Sequence, residues 1–515
     1  MTLYTAQLHP GRAIGFFVLG ASLHEILTRI KAEPNLFPKM ELLFSHDRPL
    51  HEAVSIALPQ NGFRLRFDGP EQRLRLIEVT DFTKNHITFK DRDLLKPPSA
   101  TSQMSGSSPS RESGPSFRHI YNRLLGPTYP GEFIPPEKDG QDGIYVLSYP
   151  GVAFNFALAK EAYSPEIDVV SQFAAMSSQL AKSMAIFSGD SWAVARPTLW
   201  TAALPSIKTT SVVPRAKDVY SDEISLVRLY GGGKIDVLRK WTNNGFRIQL
   251  GETTPQELVM ELGPPNAIYY KNDQRMMVHK MHSKTTGRGQ VVATDQSRTE
   301  DLTDTDQSSL HTGSEGSDAE DSVDEDLTSN LSGECFFNYF YQGFDILLSS
   351  PQQPACAPPG TVSNTASTGK AYKSYQSEQL VANKLVLHGN IPGSYEFNRH
   401  RRCRWEIDTS DKDGEQAQGI NSETHFTEIE QEMKRQWASC FERHQSNRVV
   451  KGMALNRGWG DSPEDSCELV GGWEETRPKK TQSDGDLETT TTLYGFPGMV
   501  FEVLKNGYVN TLTVY

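Results

Sequence analysis

The side chains best suited to binding an anion lie in one short segment, which contains Arg399, His400, Arg401, Arg402 and Arg404. We call these five residues the basic cluster. Guanidinium groups bind phosphate and carboxylate groups through paired hydrogen bonds, so the cluster could contact a phosphoinositide head group or an acidic partner. On a strand, Arg402 and Arg404 would share one face with His400, because successive side chains alternate. An ordinary solvated strand end explains the same residues equally well.

The remaining sequence contains no catalytic, cofactor or metal fingerprint above background. Three consecutive glycines end at Gly233 and are followed by a strand pattern, which is typical of a hairpin turn and not of a phosphate-binding loop. The histidines, among them His279, His282 and His388, do not cluster with carboxylates or cysteines at the spacing of metal ligands. We therefore expect a protein that is not an enzyme and has no cofactor, metal or small-molecule substrate.

The net charge of −12 comes largely from one acidic segment. Residues 291–330 hold twelve Asp and Glu against the single Arg298, so the rest of the chain is nearly neutral, which gives no support for nucleic-acid binding. Within the segment, Ser317 and Ser322 each have an acidic residue three positions later, a spacing that suits acid-directed kinases. The alternative interpretation is an unmodified, solvated spacer.

The apolar content of 37% is low for a globular protein, because several stretches consist mainly of serine, proline, glycine and charged residues. Such stretches cannot bury enough apolar surface to offset the entropy of the chain, and we expect them to be disordered. The residues that remain are enough for a sizeable core.

One phrase recurs in these remaining residues: a glycine followed by a short run of alternating apolar residues. It begins at Gly62, Gly151, Gly343 and Gly498. A turn glycine before a run of period two predicts a strand with one buried face, and in three copies a second run completes a hairpin. Chance recurrence of a glycine with alternation is the alternative.

Short capped helices precede the hairpins. Thr254 is the predicted N-cap of one helix, with Pro255 at its first position, and Ser22 with Glu25 forms a predicted capping box. Together these patterns predict an α+β fold of about four repeated helix–strand–strand units, which form antiparallel sheets with helices on one face.

The expected domain boundaries follow from the repeats and the inserts. The first unit covers 1–95 and a disordered linker 96–116, followed by a second unit at 117–250. The third unit covers 251–407, with a disordered acidic insert at 283–333 and a loop at 351–378. Residues 408–515 hold the fourth helix, a disordered loop at 444–490 and a C-terminal hairpin.

Three observations predict a cytosolic protein. The five cysteines are odd in number and scattered, which is typical of a reducing compartment. The N-terminal residues have no charged-then-apolar signal pattern. The longest apolar run, at 13–19, is far too short to span a membrane.

Several motifs in combination resemble the phagosome assembly factor family. They are Phe-Phe-Asn-Tyr-Phe at 336–340, Gly-Phe-Asp-Ile-Leu at 343–347, Leu-Val-Leu-His-Gly-Asn-Ile-Pro-Gly at 385–393, Tyr-Glu-Phe-Asn at 395–398, Gln-Arg-Leu-Arg-Leu-Ile-Glu-Val at 72–79, Leu-Gly-Pro-Pro at 262–265, Tyr-Tyr-Lys at 269–271 and Val-Phe-Glu-Val at 500–503. The agreement runs in order from about residue 13 to 515, interrupted by the inserts.

The resemblance implies a non-enzymatic autophagy factor. Family members pair with a WD-repeat β-propeller protein, and the complex is recruited to the forming phagophore through phosphoinositide contacts of the propeller. The resemblance also leaves open a role in Golgi-to-plasma-membrane transport, with association to the Golgi or trans-Golgi. A third possibility is a peripheral protein that binds phosphoinositides directly through its basic cluster. The family has no catalytic residues to transfer to this sequence.

Overall fold

The computed structural model of the chain describes residues 3–95, 113–136, 142–159, 163, 179–204, 223–242, 244–270, 334–351, 380–408, 419–437, 452–456, 468–469 and 490–515. We divide them into a first half, residues 3–204, and a second half, residues 223–515. This division follows the buried apolar side chains, which form one large cluster in each half.

The first half contains two sheets. A small sheet has the strand order β3-β2-β1-β8-β9 and an eight-stranded sheet has the order β10-β11-β12-β13-β7-β6-β5-β4. The strands are β1 Tyr4–His9, β2 Ala13–Ile14, β3 Phe17–Val18, β4 Glu41–Leu43, β5 Val54–Leu58, β6 Phe63–Phe67, β7 Leu74–Val79, β8 Asn85–Phe89, β9 Arg92–Asp93, β10 Glu132–Ile134, β11 Gly143–Tyr149, β12 Val152–Leu158 and β13 Ala181–Ile186.

The helices of the first half are short. Among its described residues they are α1 Leu23–Ala32, α2 Phe117–His119, which continues as a π-helical turn at Ile120–Leu124, and α3 Trp192–Thr198. A 3-10 turn lies at Phe82–Lys84.

The second half also contains two sheets. A small sheet has the order β16-β15-β14-β21-β22 and a nine-stranded sheet has the order β17-β18-β19-β20-β27-β26-β25-β23-β24. The strands are β14 Ile224–Gly231, β15 Lys234–Arg239, β16 Gly245–Gln249, β17 Ala267–Tyr270, β18 Cys335–Tyr339, β19 Phe344–Ser349, β20 Val381–His388, β21 Trp405–Ile407, β22 Ile420–Asn421, β23 Met453–Asn456, β24 Glu468–Leu469, β25 Thr490–Phe496, β26 Met499–Val503 and β27 Val509–Val514. The helices are α4 Pro255–Leu262 and α5 Phe426–Gln436.

The two halves share one plan. Each begins with three antiparallel strands, continues through a helix into a meander of strands, and later returns with a strand parallel to its first strand, β8 beside β1 and β21 beside β14. A second helix and a second meander follow in each half. The two meanders join through antiparallel pairing of β7 with β13 and of β20 with β27. Each large sheet is therefore assembled from two meanders that lie far apart in the sequence.

The four glycine phrases occupy matching positions in this plan. Gly62, Gly151, Gly343 and Gly498 have φ values of 66°, 76°, 90° and 76°, and they directly precede β6, β12, β19 and β26. At Gly343 an added Cβ would lie 2.3 Å from the carbonyl oxygen of Arg401, so the close approach and the positive φ both require glycine. The prediction that each phrase opens a strand is confirmed.

The helix starts follow the predicted caps. Thr254 and Glu257 form a reciprocal capping box at the start of α4, and the Ser22 hydroxyl accepts a hydrogen bond from the Glu25 backbone N–H at the start of α1. Leu258 and Leu262 of α4 are buried in the second-half core, so the inner stripe of this helix is the predicted one. The predicted fourth helix is α5, which begins after the N-cap residue His425.

The fold class is confirmed only in part. Strands in mainly antiparallel sheets predominate and helices are few, so repeated helix–strand–strand units are not clearly present. The reason is that each large-sheet meander adds strands beyond one hairpin, as β4 to β7 do after α1. Helices also do not share one face, because α3 packs on the side of its sheet opposite to α1.

One predicted boundary cuts through a core. The expected second unit at 117–250 includes strands β14 to β16, yet these strands contribute Val227, Ile235 and Ile248 to the core of the second half. The sequence suggested the wrong grouping because the helix after residue 250 looks like the start of a unit, whereas three strands precede that helix in the plan.

Most of the predicted inserts lie outside the described residues, namely 96–112, 271–333, 352–379 and 457–467 together with 470–489. Among the helices of the described part of the chain, none is long and apolar enough to cross a membrane.

Candidate functional site

The basic cluster lies at the junction between the two halves. Residues 401–404 form no strand, and among the five side chains His400, Arg401 and Arg402 are buried, Arg404 is half-buried and Arg399 is exposed. The predicted alternation of faces is therefore wrong, because the segment is a connection that crosses the junction before β21 begins at Trp405.

Arg402 joins three parts of the chain. Its guanidinium donates to the carbonyl oxygens of Pro70 at 2.7 Å and Gly389 at 2.8 Å, and to the carboxylate of Glu423 at 3.0 Å. Burial alone would raise the pKa of Glu423, but the charge of Arg402 and the hydrogen bond from Arg404 lower it to about 2. The ion pair is therefore fully charged near neutral pH, and the hydrogen bond from Arg402 to Pro70 links the second half to the first.

Arg401 completes the same junction. It donates to the carbonyl oxygen of Ile224 at 2.8 Å, and its Nη1 lies 3.6 Å from Glu223, which also forms a two-pronged ion pair with Arg73 of the first half. Burial lowers the pKa of Arg401 to about 10, so it remains a cation. These arginines have partners within the chain, and contact of the cluster with a phosphoinositide or an acidic partner stays a prediction.

Helix α3 covers one part of the outer face of the eight-stranded sheet. Alternate residues of β12 point to opposite sides: Val152 belongs to the first-half core and Ala153 to a separate cluster beneath α3. That cluster consists of Leu76, Val146, Ala153, Ala185, Phe187 and Ala195, with Trp192 and Leu199 packed against it. The part of this face around Ala153 is therefore covered by a helix of the same chain.

Among the described residues, no helix packs on the outer face of the nine-stranded sheet. This face forms a cavity of about 470 Å³, and none of the described helices contributes to its lining. Apolar side chains from three strands, Val386, Leu493 and Val500, line one part of it, and Asp345 and His388 line another. The cavity therefore presents an apolar strip beside a charged wall.

The open apolar strip corresponds in register to the covered face of the first half. Ala153 is the second residue after Gly151 and pairs with Ala185, whereas Val500 is the second residue after Gly498 and pairs with Thr513. Val500 thus occupies in its sheet the position that α3 covers in the other. Corresponding positions of the two sheets are therefore covered by a helix in the first half and line a cavity in the second.

Asp345, His388 and His400 form a buried cluster at the charged wall, which we call the imidazole cluster. The two carboxylate oxygens of Asp345 each accept from one Nε2, that of His388 at 2.9 Å and that of His400 at 2.9 Å. The two imidazole rings are stacked, with centroids 3.8 Å apart and an interplanar angle of 6°. Glu396 Oε2 lies 3.6 Å from His388 Nδ1.

The protonation of the imidazole cluster follows from its contacts. Burial would lower the pKa of His388, but hydrogen bonds to Asp345 and Glu396 raise it to about 9. Burial would raise the pKa of Asp345, and the hydrogen bonds from both histidines lower it to about 2. Burial lowers the pKa of His400, so near neutral pH one ring is charged and the other neutral.

The expectation that the histidines do not cluster with carboxylates is wrong. His388 and His400 lie 43 and 55 residues from Asp345 in the sequence, so no local spacing could reveal the group. The one available signal is the strand pattern: Asp345 pairs with Val386, which places His388 two residues further along the same face. The predicted phosphorylation sites Ser317 and Ser322, together with His279 and His282, lie outside the described residues.

Comparison with known proteins gives a consistent result. The family model described as phagosome assembly factor 1 matches residues 13–292 and 375–515. A PHAF1 protein of Arabidopsis thaliana is 24% identical over 99% of this chain and 92% of its own length. A PHAF1 protein of Caenorhabditis elegans is 23% identical over 80% of this chain and 78% of its own length. A PHAF1 protein of Drosophila melanogaster is 21% identical over 76% of this chain and 70% of its own length. No solved structure matches the chain.

Proposed function

The chain belongs to the phagosome assembly factor 1 family, and from this we propose that it is a non-enzymatic adaptor in phagosome assembly. In this proposal it forms a complex with a WD-repeat β-propeller protein and is recruited to the forming phagophore, where it regulates autophagy. The family name supports the general role, and the partner and the recruitment are the parts that need testing.

The observation that carries the proposal is the open outer face of the nine-stranded sheet. The matching positions of the other sheet are covered by α3, which packs Trp192 against Phe187 with ring centroids 5.2 Å apart. A half-buried apolar strip that lines a cavity favours contact with another apolar surface, because burial removes its side chains from solvent. We propose that a segment of the propeller protein covers Val386, Leu493 and Val500 in the way that α3 covers the first sheet.

The charges around the strip limit which segment fits. Asp345 is ionised and His388 is protonated, so this pair is close to neutral, whereas Glu396 and Glu502 add carboxyl groups to the lining against Arg399. A partner segment with one bulky apolar side chain flanked by a basic residue complements this arrangement.

The basic cluster supports recruitment through the partner. Three of its five side chains are buried. Arg402 donates to Pro70 of the first half, and Arg401 lies beside Glu223, which pairs with Arg73 of the first half. The membrane contact is therefore proposed for the propeller protein, which would bind phosphoinositides while this chain binds the propeller. Of the cluster, Arg399 is the exposed side chain.

Affinity purification from starved and fed cells, followed by mass spectrometry, tests the proposal. Tagged wild-type protein should recover a WD-repeat propeller protein together with autophagy machinery. The variant Val500→Lys should lose the propeller, because a lysine in the apolar strip prevents an apolar side chain from seating there. A matched control is Ile144→Lys, which makes the same change at an exposed apolar position of the first sheet and should retain the partner.

The same experiment separates the alternatives. Recovery of Golgi or exocytic coat components without autophagy machinery would replace the proposal by a role in Golgi-to-plasma-membrane transport. Recovery of neither class of protein, together with binding of the purified chain to phosphoinositide vesicles that Arg399→Glu abolishes, would replace it by direct membrane binding.

A further inference from the structure

The imidazole cluster offers three metal-ligand atoms at one point. The Nε2 atoms of His388 and His400 and a carboxylate oxygen of Asp345 lie within 4.8 Å of one another, and all three residues are buried. Both nitrogens are directed at the same carboxylate, each 2.9 Å from one of its oxygens. Side chains from two strands and a connecting segment are thus brought to a single locus.

We propose that Asp345, His388 and His400 bind a divalent transition-metal ion of the zinc type. Two imidazoles and one carboxylate are a ligand set that first-row divalent ions occupy, with the remaining coordination positions open. This departs from the expectation of a protein without a metal, which rested on sequence spacing alone. Its ligands come entirely from this chain, so the site does not require the proposed partner.

The surroundings of the cluster favour a cation. Glu396 Oε2 lies 3.6 Å from Nδ1 of His388, and a carboxylate on the far nitrogen of a ligating histidine fixes its ring and increases its basicity. For His400, Nδ1 has no hydrogen-bond partner among the described residues. The Asp345 carboxylate within the cluster and the Glu396 carboxylate beside it supply negative charge for a buried divalent ion.

The cluster is also reachable. Asp345 and His388 line the cavity of about 470 Å³ on the outer face of the nine-stranded sheet, whereas His400 lies behind them. An ion could therefore enter from the cavity and keep an open coordination position directed into it. Binding would displace both Nε2 hydrogens: protonated His388 would release one and keep its hydrogen on Nδ1, and neutral His400 would move its single hydrogen to Nδ1, so one proton is released. The two rings would also turn out of their parallel stack, because an imidazole binds an ion in its own ring plane.

The competing description is a cluster held by hydrogen bonds alone. In that state the ionised Asp345 accepts from both rings, and the stacked pair carries one proton more than two neutral imidazoles. The two descriptions differ in what zinc does to the protein, so they can be separated directly.

The experiment uses the purified full-length chain, treated with a chelator and then titrated with Zn²⁺ against a chromogenic zinc indicator. Wild-type protein should bind one ion per chain at this cluster. Asp345→Asn and His388→Ala should each weaken that binding by at least about tenfold, the lower end of what loss of even an outer partner of a metal site costs. Circular dichroism shows whether each variant remains folded.

The matched control is His86→Ala. His86 Nε2 lies 2.9 Å from Asp93 Oδ1 in an exposed pair, so this change removes a histidine–carboxylate contact outside the cluster. It should leave the zinc affinity unchanged. Equal affinity in Asp345→Asn, His388→Ala and wild type would show that the zinc sits elsewhere and would overturn the proposal.

Titration of the wild-type protein with Co²⁺ tests the metal site even if the variants do not fold. Wild-type protein titrated with Co²⁺ should develop visible absorption bands of a nitrogen- and oxygen-coordinated ion, at one equivalent per chain, and Zn²⁺ should remove them. If no such bands develop and the wild type takes up no zinc, the cluster is held by hydrogen bonds only and the metal site does not exist.

Discussion

The outer faces of the two large sheets occupy the same place in the two halves and differ in what covers them. In the first half, α3 packs Trp192 and Ala195 over Ala153 and its neighbours. In the second half, the matching strip at Val500 faces a cavity bordered by the imidazole cluster. The inner faces show no such contrast, since both contribute phenylalanine, leucine and valine side chains to a core.

This difference shows which face of each sheet the fold requires to be apolar and buried, and which face it does not. The inner face of each sheet must bury apolar side chains for the half to be stable. The outer face is not under this requirement, so it can either be closed by the chain itself or kept available for a partner or an ion. A difference between two halves of one molecule therefore indicates where a function is located.

The largest effect is expected where the two halves meet. Arg402→Ala removes a buried cation from Glu423 and from the carbonyl oxygen of Pro70 in the first half. Because loss of one partner leaves a buried charge uncompensated, the free energy of unfolding should fall by about 3–5 kcal/mol. Chemical denaturation measures it, and the exposed Arg399→Ala should change stability by no more than about 0.5 kcal/mol. Equal losses of stability in both variants would contradict the claim that Arg402 stabilises the junction between the two halves.

A lysine placed at the two matching positions compares the outer faces directly. Ala153→Lys puts a charge beneath α3 at a site that is 1% exposed, and should destabilise the protein by about 3 kcal/mol or more. Val500→Lys places the same group at the open cavity, where water reaches it, and should cost about 1 kcal/mol or less. Thermal unfolding of both variants gives the comparison, and a similar loss for both would show that the second face is also closed.

His388 in the second half and Thr80 in the first half occupy matching positions, and of the two only the histidine should make stability depend on pH. His388 N donates to the carbonyl oxygen of Gly343 as Thr80 N does to that of Gly62. Since the pKa of His388 is raised from 6.5 to about 9, its stabilising contribution is complete below about pH 6.5 and is lost as the pH rises through 9.

Between pH 6 and pH 9, in the presence of a chelator, the wild type should therefore lose up to about 3 kcal/mol that His388→Thr does not lose. Urea denaturation at several pH values measures the difference. If the variant has the same pH profile as the wild type, the raised pKa assigned to His388 is refuted.

The smallest effect is expected at a helix cap. Thr254→Ala removes the hydroxyl that accepts from Glu257 N at the start of α4, and should cost about 1 kcal/mol. Ser22→Ala is the matching change at α1 in the first half, where the hydroxyl accepts from Glu25 N at 3.2 Å. Thermal unfolding should show losses of similar size, and a loss several times larger at one helix would show that its cap does more than start the helix.

The features that the sequence predicts correctly are local. A glycine at positive φ before an alternating run predicts β6, β12, β19 and β26, and Thr254 with Glu257 predicts the start of α4. These features depend on neighbouring residues only, because turn geometry and capping act over three or four positions.

The features that the sequence does not reveal depend on distant partners. The basic cluster looks exposed until Glu423, Pro70 and Glu223 are placed around it. The imidazole cluster needs pairing of β19 with β20 and the return of the chain at His400. Helix α3 contains Pro197 and a single buried residue, Ala195, so it lacks the apolar stripe from which a helix is predicted.

The central claim is that the open strip on the nine-stranded sheet binds the partner. The direct measurement is isothermal titration of the purified full-length chain with the WD-repeat protein recovered from cells, for wild type, Val500→Lys and Ile144→Lys. The account predicts equal affinity for wild type and Ile144→Lys, and an affinity at least about tenfold weaker for Val500→Lys, the loss of roughly 1.4 kcal/mol expected when one central contact is removed. Unchanged affinity for a folded Val500→Lys would contradict it and place the partner on another surface.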